Sequence, residues 1–284
     1  MGMDKDTLWY KIKKMNSLST LPEIYDRVSD MINDPKTSAA NLASVISRDE
    51  TLVAKLLRVA NSPFYKASPE KVTSITFAVA LLGFNATKNL VLSVSIFDLF
   101  HTFEESLKLT VRGFWKHSIT CAVASKIIAQ SIRYKNPEEM FVSGLLHDIG
   151  KIVEIQYMPE DFKKIINVIN SKEISMKDAE EEVLKYSHTD VGKMLGVHWN
   201  LSPRIIDCVR LHHIPDKAID SLTEVSIVHT ANVLSHSLEL DYKVPILNEK
   251  AWEILNLKID MLEPMLKQLK KESIEAIAVL FPKK

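Results

Sequence analysis

Glycine is scarce in this chain of 284 residues: there are seven, with no Gly-rich loop among them. Cysteine is scarcer still. Cys121 and Cys208 are the two present, both inside helical patterns, which excludes a disulfide framework and suits a reducing cytoplasm. Neither sign of charge is in excess. Lys and Arg total 36 against 36 Asp and Glu, whereas nucleic-acid binders draw much of their affinity from a basic surplus. Long apolar runs are missing too. The longest stretch without a charged residue, Val72 to Thr87, includes Gly83 and several polar positions and falls short of the ~20 apolar residues that a spanning helix needs. The N-terminal "MGMDKDTLWYKIKKM" lacks the continuous apolar core of a signal peptide. These absences point to a cytoplasmic protein with no membrane segment and no general affinity for nucleic acid.

What is present is apolar mass at helical spacing. Hydrophobic residues make up 46% of the chain, enough for one large domain or two ordinary ones. Their period predicts an all-α, multi-helix bundle. In 41–59 the apolar positions recur three or four apart, predicting one helix that "NSPFY" (61–65) then breaks, because Pro63 has no N–H to donate. Helices are expected over 72–82 and 85–100, split at "LGFN", and over 113–133, ended by "YKNPEE". Asn136 is a candidate cap and Pro137 the first residue of the next helix, which is expected to run on through "SGLLHDIGK". A charged helical stretch (160–186) follows. Ser187 with Asp190 reads as a capping box, and Ser202 with Pro203 as another helix start. Helices over 222–240, 248–260 and 263–280 complete the set. The expected organisation is an N-terminal helical part (1–110), a helical core (111–245) and a C-terminal tail packed on it (246–284).

Histidine is where chemistry enters. Seven of the nine histidines lie between positions 117 and 229. Each has a plain structural reading. His117 shares an inward stripe with Cys121, Ala124 and Ile128, as a hydrogen-bonded core residue would. His188 stands at a helix start and His198 beside Trp199. His212 and His213 sit at a helix end, where a cation suits the dipole. Taken together, "FWKHS", "LLHDIGK", "SHTDVGKML", "RLHHIP" and "VHTANVL" put imidazoles and a carboxylate on several helical segments. That donor set suits borderline divalent ions such as Fe, Mn, Ni or Zn.

The order of these segments resembles the HD superfamily of metal-dependent phosphohydrolases, in which a first His, an adjacent His-Asp pair and a distant Asp hold a metal. His117, His147 and Asp148 match the first three. "HDIGK" is also similar to the cyclic-di-GMP phosphodiesterase branch, and His188 and His212 fall where that branch has further ligands. The chain departs at the last place, where "VHTANVL" puts Asn232 instead of Asp, and it lacks the Gly-Tyr-Pro motif of that branch. Upstream, "LPEIYDRVSDMINDP", "LASVISRDETLVAKLLRVANSPFY" and "SITFAVALLGFNATKNLVLS" resemble the HDOD domain of bacterial signalling proteins over about residues 18–215.

The resemblance implies a bacterial regulatory module with an HD-type helical core, acting on signalling proteins, with a phosphate-containing small molecule or nucleotide as a further partner. Its implied metal set is His117, His147, Asp148, His188, His212 and Asn232. The alternative it implies is a metal-dependent phosphohydrolase in which Asp148 and Lys151 carry catalysis, Lys151 meeting a substrate phosphate as a point charge. Asn232 for Asp keeps an oxygen donor but removes a full charge, so metal affinity is expected to fall. Asn232 also reads as a buried amide, and Lys151 as a solvated lysine. His213 and His229 stay open as ligands or bystanders. A helix-turn-helix look in 80–92 gives a third, DNA-binding reading, which the zero net charge opposes.

Overall fold

The computed structural model describes residues 7, 10, 21, 23–62, 71–100, 108–238 and 244–280. Every regular element among them is helical, as the apolar period predicts. The N-terminal helices are α1 (Glu23–Ile32), α2 (Ala39–Ile46), α3 (Glu50–Ala60), α4 (Ile75–Leu82) and α5 (Phe84–Leu99). The core comprises α6 (Lys108–Ser131), α7 (Pro137–Leu146), α8 (Ile149–Tyr157), α9 (Pro159–Lys172), α10 (Met176–Leu184), α11 (His188–His198), α12 (Pro203–Leu211) and α13 (Leu222–Ser237). Two more helices, α14 (Glu249–Leu255) and α15 (Leu262–Leu280), follow.

Three expected helices are broken by their own capping residues. The predicted 41–59 helix stops at Ile46 and restarts at Glu50, because Asp49 turns out of the helix and accepts from the Leu52 N–H at 2.9 Å. The charged stretch 160–186 breaks at Glu173 (φ 53°), and Ser175 caps α10 by accepting from Asp178 N–H at 3.2 Å. The third break falls inside "LLHDIGK". His147 caps the end of α7, and Asp148, at φ −105° and ψ 12°, precedes α8. The other caps divide. Ser202 accepts from Ile205 N–H and Pro203 opens α12, whereas Asn136 precedes Pro137 without a side-chain cap bond. Of the "NSPFY" breaker, Pro63 to Tyr65 lie outside the described residues.

Helix α6 is the axis. It is 24 residues long and packs against α7, α13 and α15, so every residue from His117 to Ala129 is buried, while Thr110, Gly113 and Lys116 face out near its start. Trp115 is fully buried on the α5 side, its ring 4.3 Å from that of Phe97. Two residues on, about 200° around the helix, His117 points to the opposite side. The N-terminal helices join this core through α5 against α7, and α15 spans from α3 to α6. Gly83, at φ 81°, makes the turn between α4 and α5, and the middle of α5 (Leu90, Val91, Leu92) is core. The helix-turn-helix-like segment therefore buries its second helix. Among the described residues no single helix is long and apolar enough to cross a membrane; α4 and α5 reach that length and composition only as a pair bent by 116°.

A candidate metal centre

Asp148 is the hub, and both of its carboxylate oxygens face imidazoles. Oδ2 lies 3.2 Å from His147 Nε2 and 3.9 Å from His117 Nε2. Oδ1 lies 3.2 Å from His188 Nε2 and 3.5 Å from His212 Nε2. His213 Nε2 is 3.1 Å from His188 Nε2. Asn232 Oδ1 is 3.0 Å from His117 Nε2. Two overlapping donor groups result, one of Asp148, His188, His212 and His213, the other of Asp148, His117 and His147. The helix break brings this about. On a continuous helix, neighbouring His147 and Asp148 would diverge by about 100°; the turn between α7 and α8 aims both at one point.

The chain also decides which ring nitrogens are available. A carbonyl oxygen can only accept, so a ring nitrogen facing one must carry the proton. His147 Nδ1 donates to Gly144 O at 2.8 Å, and His212 Nδ1 to Val209 O at 3.0 Å. Both histidines end helices, and each ring folds back on a last-turn carbonyl that the helix leaves unused. His188 Nδ1 lies 2.6 Å from Glu180 Oε2, which also accepts the His188 backbone N–H at 2.8 Å. In each neutral ring this leaves a lone pair on Nε2, aimed at Asp148.

Charge follows the same geometry. Burial keeps His147 below its usual value against the upward pull of Asp148, and burial pushes His212 down to about 3. His213 is lowered by burial and then by His212. His188 is the exception: burial lowers it, but the Glu180 carboxylate against its Nδ1 outweighs that and raises it. Burial also opposes ionisation of Asp148, yet His147 and Lys151 hold its carboxyl well below the usual range. Lys151 Nζ donates to Oδ2 at 2.6 Å, and burial's downward pull on it is overcome by Asp148 and Glu180.

The donor set suits an ion. His147 Nε2, His212 Nε2 and Asp148 Oδ1 are buried without a hydrogen-bond partner, a costly arrangement for three atoms so close together unless something else satisfies them. The Nε2 atoms of His147, His188 and His212 each lie 3.2–3.5 Å from an Asp148 oxygen, which matches neighbouring ligands around an ion with bonds of about 2.1 Å, roughly 3.0–3.4 Å apart.

The sequence-predicted residues His117, His147, Asp148, His188, His212, Asn232 and Lys151 are thus all gathered at one place. His213 joins them. His229 does not: its Nδ1 donates to His212 O at 2.7 Å and its Nε2 accepts from Asn248 N–H at 3.0 Å, leaving no lone pair. It is a strut under His212. Two buried acids escaped sequence reasoning. Glu180 orients His188, and Glu154 has its carboxyl raised well above the usual range by burial and then by Glu180. Glu180 lies in an ordinary charged helical stretch, where nothing in its spacing marks it as internal; Glu154 stands between Val153 and Ile155 on an apolar helix, a signal that could have found it. Gly150 in "HDIGK" has a steric role. A Cβ there would come within 2.0 Å of His188 O, so only glycine lets α8 approach the start of α11 and seat His188 over Asp148.

Fold and site together define an all-helical protein with a buried His/Asp cluster that could hold a metal. The HDOD domain model matches residues 18–215, and the chain belongs to the HDOD-domain family. A crystal structure of an HDOD domain protein from Geobacter sulfurreducens is similar with a TM-score of 0.77 at 26% identity, covering 98% of this chain and 99% of that one. A Shewanella amazonensis protein provisionally named a phosphohydrolase shares the fold with a TM-score of 0.76 at 21% identity, covering 98% and 100%. A Treponema pallidum protein is 23% identical over 233 residues, 80% of this chain and 44% of that protein. The chain therefore spans less than half the length of this curated relative.

Proposed function

We propose that this chain is a regulatory HDOD module that acts through contacts with signalling proteins, and that its His/Asp cluster binds one or more divalent metal ions. The observation that carries the metal reading is the set of three buried, unpartnered donor atoms on His147, His212 and Asp148. Holding neutral imidazoles with fixed tautomers around an ionised carboxylate stores an unsatisfied negative potential, and a cation resolves it.

Burial favours regulation over turnover. Metal sites that only hold structure are closed, whereas catalytic ones keep a position open to substrate. The Asp148 and His147 side chains are 2% and 0% exposed, and that of Lys151 is 17% exposed. A ligand must therefore approach past Lys151, His213 or His117. Lys151 suits a phosphate-bearing small molecule or nucleotide, whose charge its ammonium would meet.

A second reading, metal-dependent phosphohydrolysis, is favoured by that same lysine beside an ionised Asp148. An ion bound here would supply an acidified water and polarise a phosphoryl oxygen. The chain's own contribution would be Asp148, Lys151 and the fixed imidazoles. Metal analysis of protein purified without chelator, beside the His147→Ala/Asp148→Ala double variant, tests the shared premise. About one or more equivalents of Fe, Mn, Ni or Zn, lost in the variant, is expected. No metal in either sinks the metal site and the enzyme with it, and leaves a module that acts through protein contacts alone. Divalent-ion-dependent cleavage of a phosphate ester, absent in Asp148→Ala, decides for the enzyme.

A further inference from the structure

The two sides of Asp148 are unequal. Oδ1 has no hydrogen-bond partner, and neither has His212 Nε2 beside it. Oδ2 already has a cation, the Lys151 ammonium at 2.6 Å. Each side otherwise matches the other, with one imidazole engaged (His117 by Asn232 Oδ1 at 3.0 Å, His188 by His213 Nε2 at 3.1 Å) and one orphaned (His147, His212), so the ammonium is the difference. Lys151 reaches Oδ2 from one turn along α8, whose start is fixed against α11 by the close approach at Gly150. An ammonium so placed satisfies a lone pair of Oδ2 and repels any second positive charge brought to the oxygen.

We infer that Lys151 stands in for a second metal ion: the protein takes one divalent ion, on Asp148 Oδ1 with His188, His212 and His213, while the ammonium keeps the His117/His147 side free of metal. This rests on the metal-binding reading above and fixes both stoichiometry and place. Lys151 then regulates the count of ions. Any anion that drew its ammonium away from Oδ2, an arriving phosphate above all, would open the second group.

Chelator-stripped protein titrated with Mn(II), followed by calorimetry and by the electron-paramagnetic signal of free Mn(II), tests this with no activity involved. Wild type is expected to bind one equivalent. His212→Ala should weaken that binding by at least ~100-fold and His117→Ala by less than about threefold, since even losing a ligand's outer partner costs ~10–100-fold. Lys151→Met, and Lys151→Gln if the first variant is unfolded by circular dichroism, should bind two equivalents, the second lost on adding His117→Ala. Two equivalents in wild type, or one that depends on His117 rather than His212, overturns the inference while leaving the metal reading intact. A lysine variant that is folded and still binds one equivalent overturns it as well. No binding in any form fails the metal reading itself.

Discussion

The helices before residue 100 and those from α6 to α13 are built by the same apolar period but bury different things. In the first region the buried polar side chains among the described residues are hydroxyls. Ser62, Thr87 and Ser93 each bond back to a carbonyl three or four residues earlier, at 2.7, 2.8 and 2.9 Å. The second region buries Asp148, His147, His188, His212, Glu154 and Glu180, groups whose desolvation is costly unless each is paired. The difference separates scaffold from site. An apolar helix set is satisfied by packing alone, whereas a cluster of ionisable groups at the centre of a fold needs a reason, and a cation held there would supply one.

The comparison breaks hardest at Asp148. The His147→Ala/Asp148→Ala variant should lose its bound metal entirely, read by elemental analysis. Asp148→Ala alone also leaves the Lys151 ammonium without its partner, and breaking such a pair costs ~3–5 kcal/mol, read as a lower urea midpoint of the metal-free protein. In the scaffold, Leu42→Ala should give a comparable stability loss of ~2–5 kcal/mol, because Leu42 is wholly buried on α2. Its folded fraction should keep the wild-type metal content. If Leu42→Ala also empties the site, the division into scaffold and site is wrong.

Acid should separate the regions next. For His212 the folded value of about 3 lies below the unfolded 6.5. Between those values the unfolded chain binds a proton that the folded chain refuses, so stability falls as pH drops below about 6.5. His147 and His213 shift the same way. His188, raised instead, opposes them, and its contribution is lost as pH rises through its folded value. His229 is lowered as well and adds to the loss, while Glu154, its carboxyl raised, opposes it beside His188; four against two gives a net loss of stability on acidification. The urea midpoint of metal-free protein should drop from pH 7.5 to 5.5, and His212→Phe should flatten that drop. A midpoint unchanged with pH would mean that the rings are not held neutral in the fold.

How much of this the sequence discloses depends on what kind of residue carries each feature. Apolar spacing announces α6, α12 and α13, since a buried helix face must repeat every three or four residues. It does not announce Asp49 or Ser175, which cut two expected helices, because one capping bond outweighs continued periodicity only once the chain turns. The candidate ligands are legible because His and Asp are rare on apolar faces, and "HDIGK" states three members of the cluster in one phrase. Glu180 is not legible, because an acid in a charged helix is ordinary until the fold buries it; Glu154, between Val153 and Ile155, is legible by the same rarity on an apolar face. His229 misleads from the other direction, a histidine in a suggestive motif whose two nitrogens are both used to hold other segments in place.

The smallest expected effect probes the one position where the sequence departs from the pattern it resembles. Asn232 lies 4% exposed with its Oδ1 against His117 Nε2. If the amide is a weakened ligand, Asn232→Asp restores a full negative charge beside the His117/His147 group and should tighten Mn(II) there by about tenfold, ~1.4 kcal/mol. The gain should be largest in the Lys151→Met background, where no ammonium competes for Asp148 Oδ2. If Asn232 is instead a strut tying α13 to α6, the substitution changes the melting temperature and leaves metal binding where it was. A gain in occupancy that brings phosphate-ester cleavage with it would show that the missing carboxylate is what keeps this pocket from turning over; a gain in occupancy alone would leave the ion as part of a regulatory core.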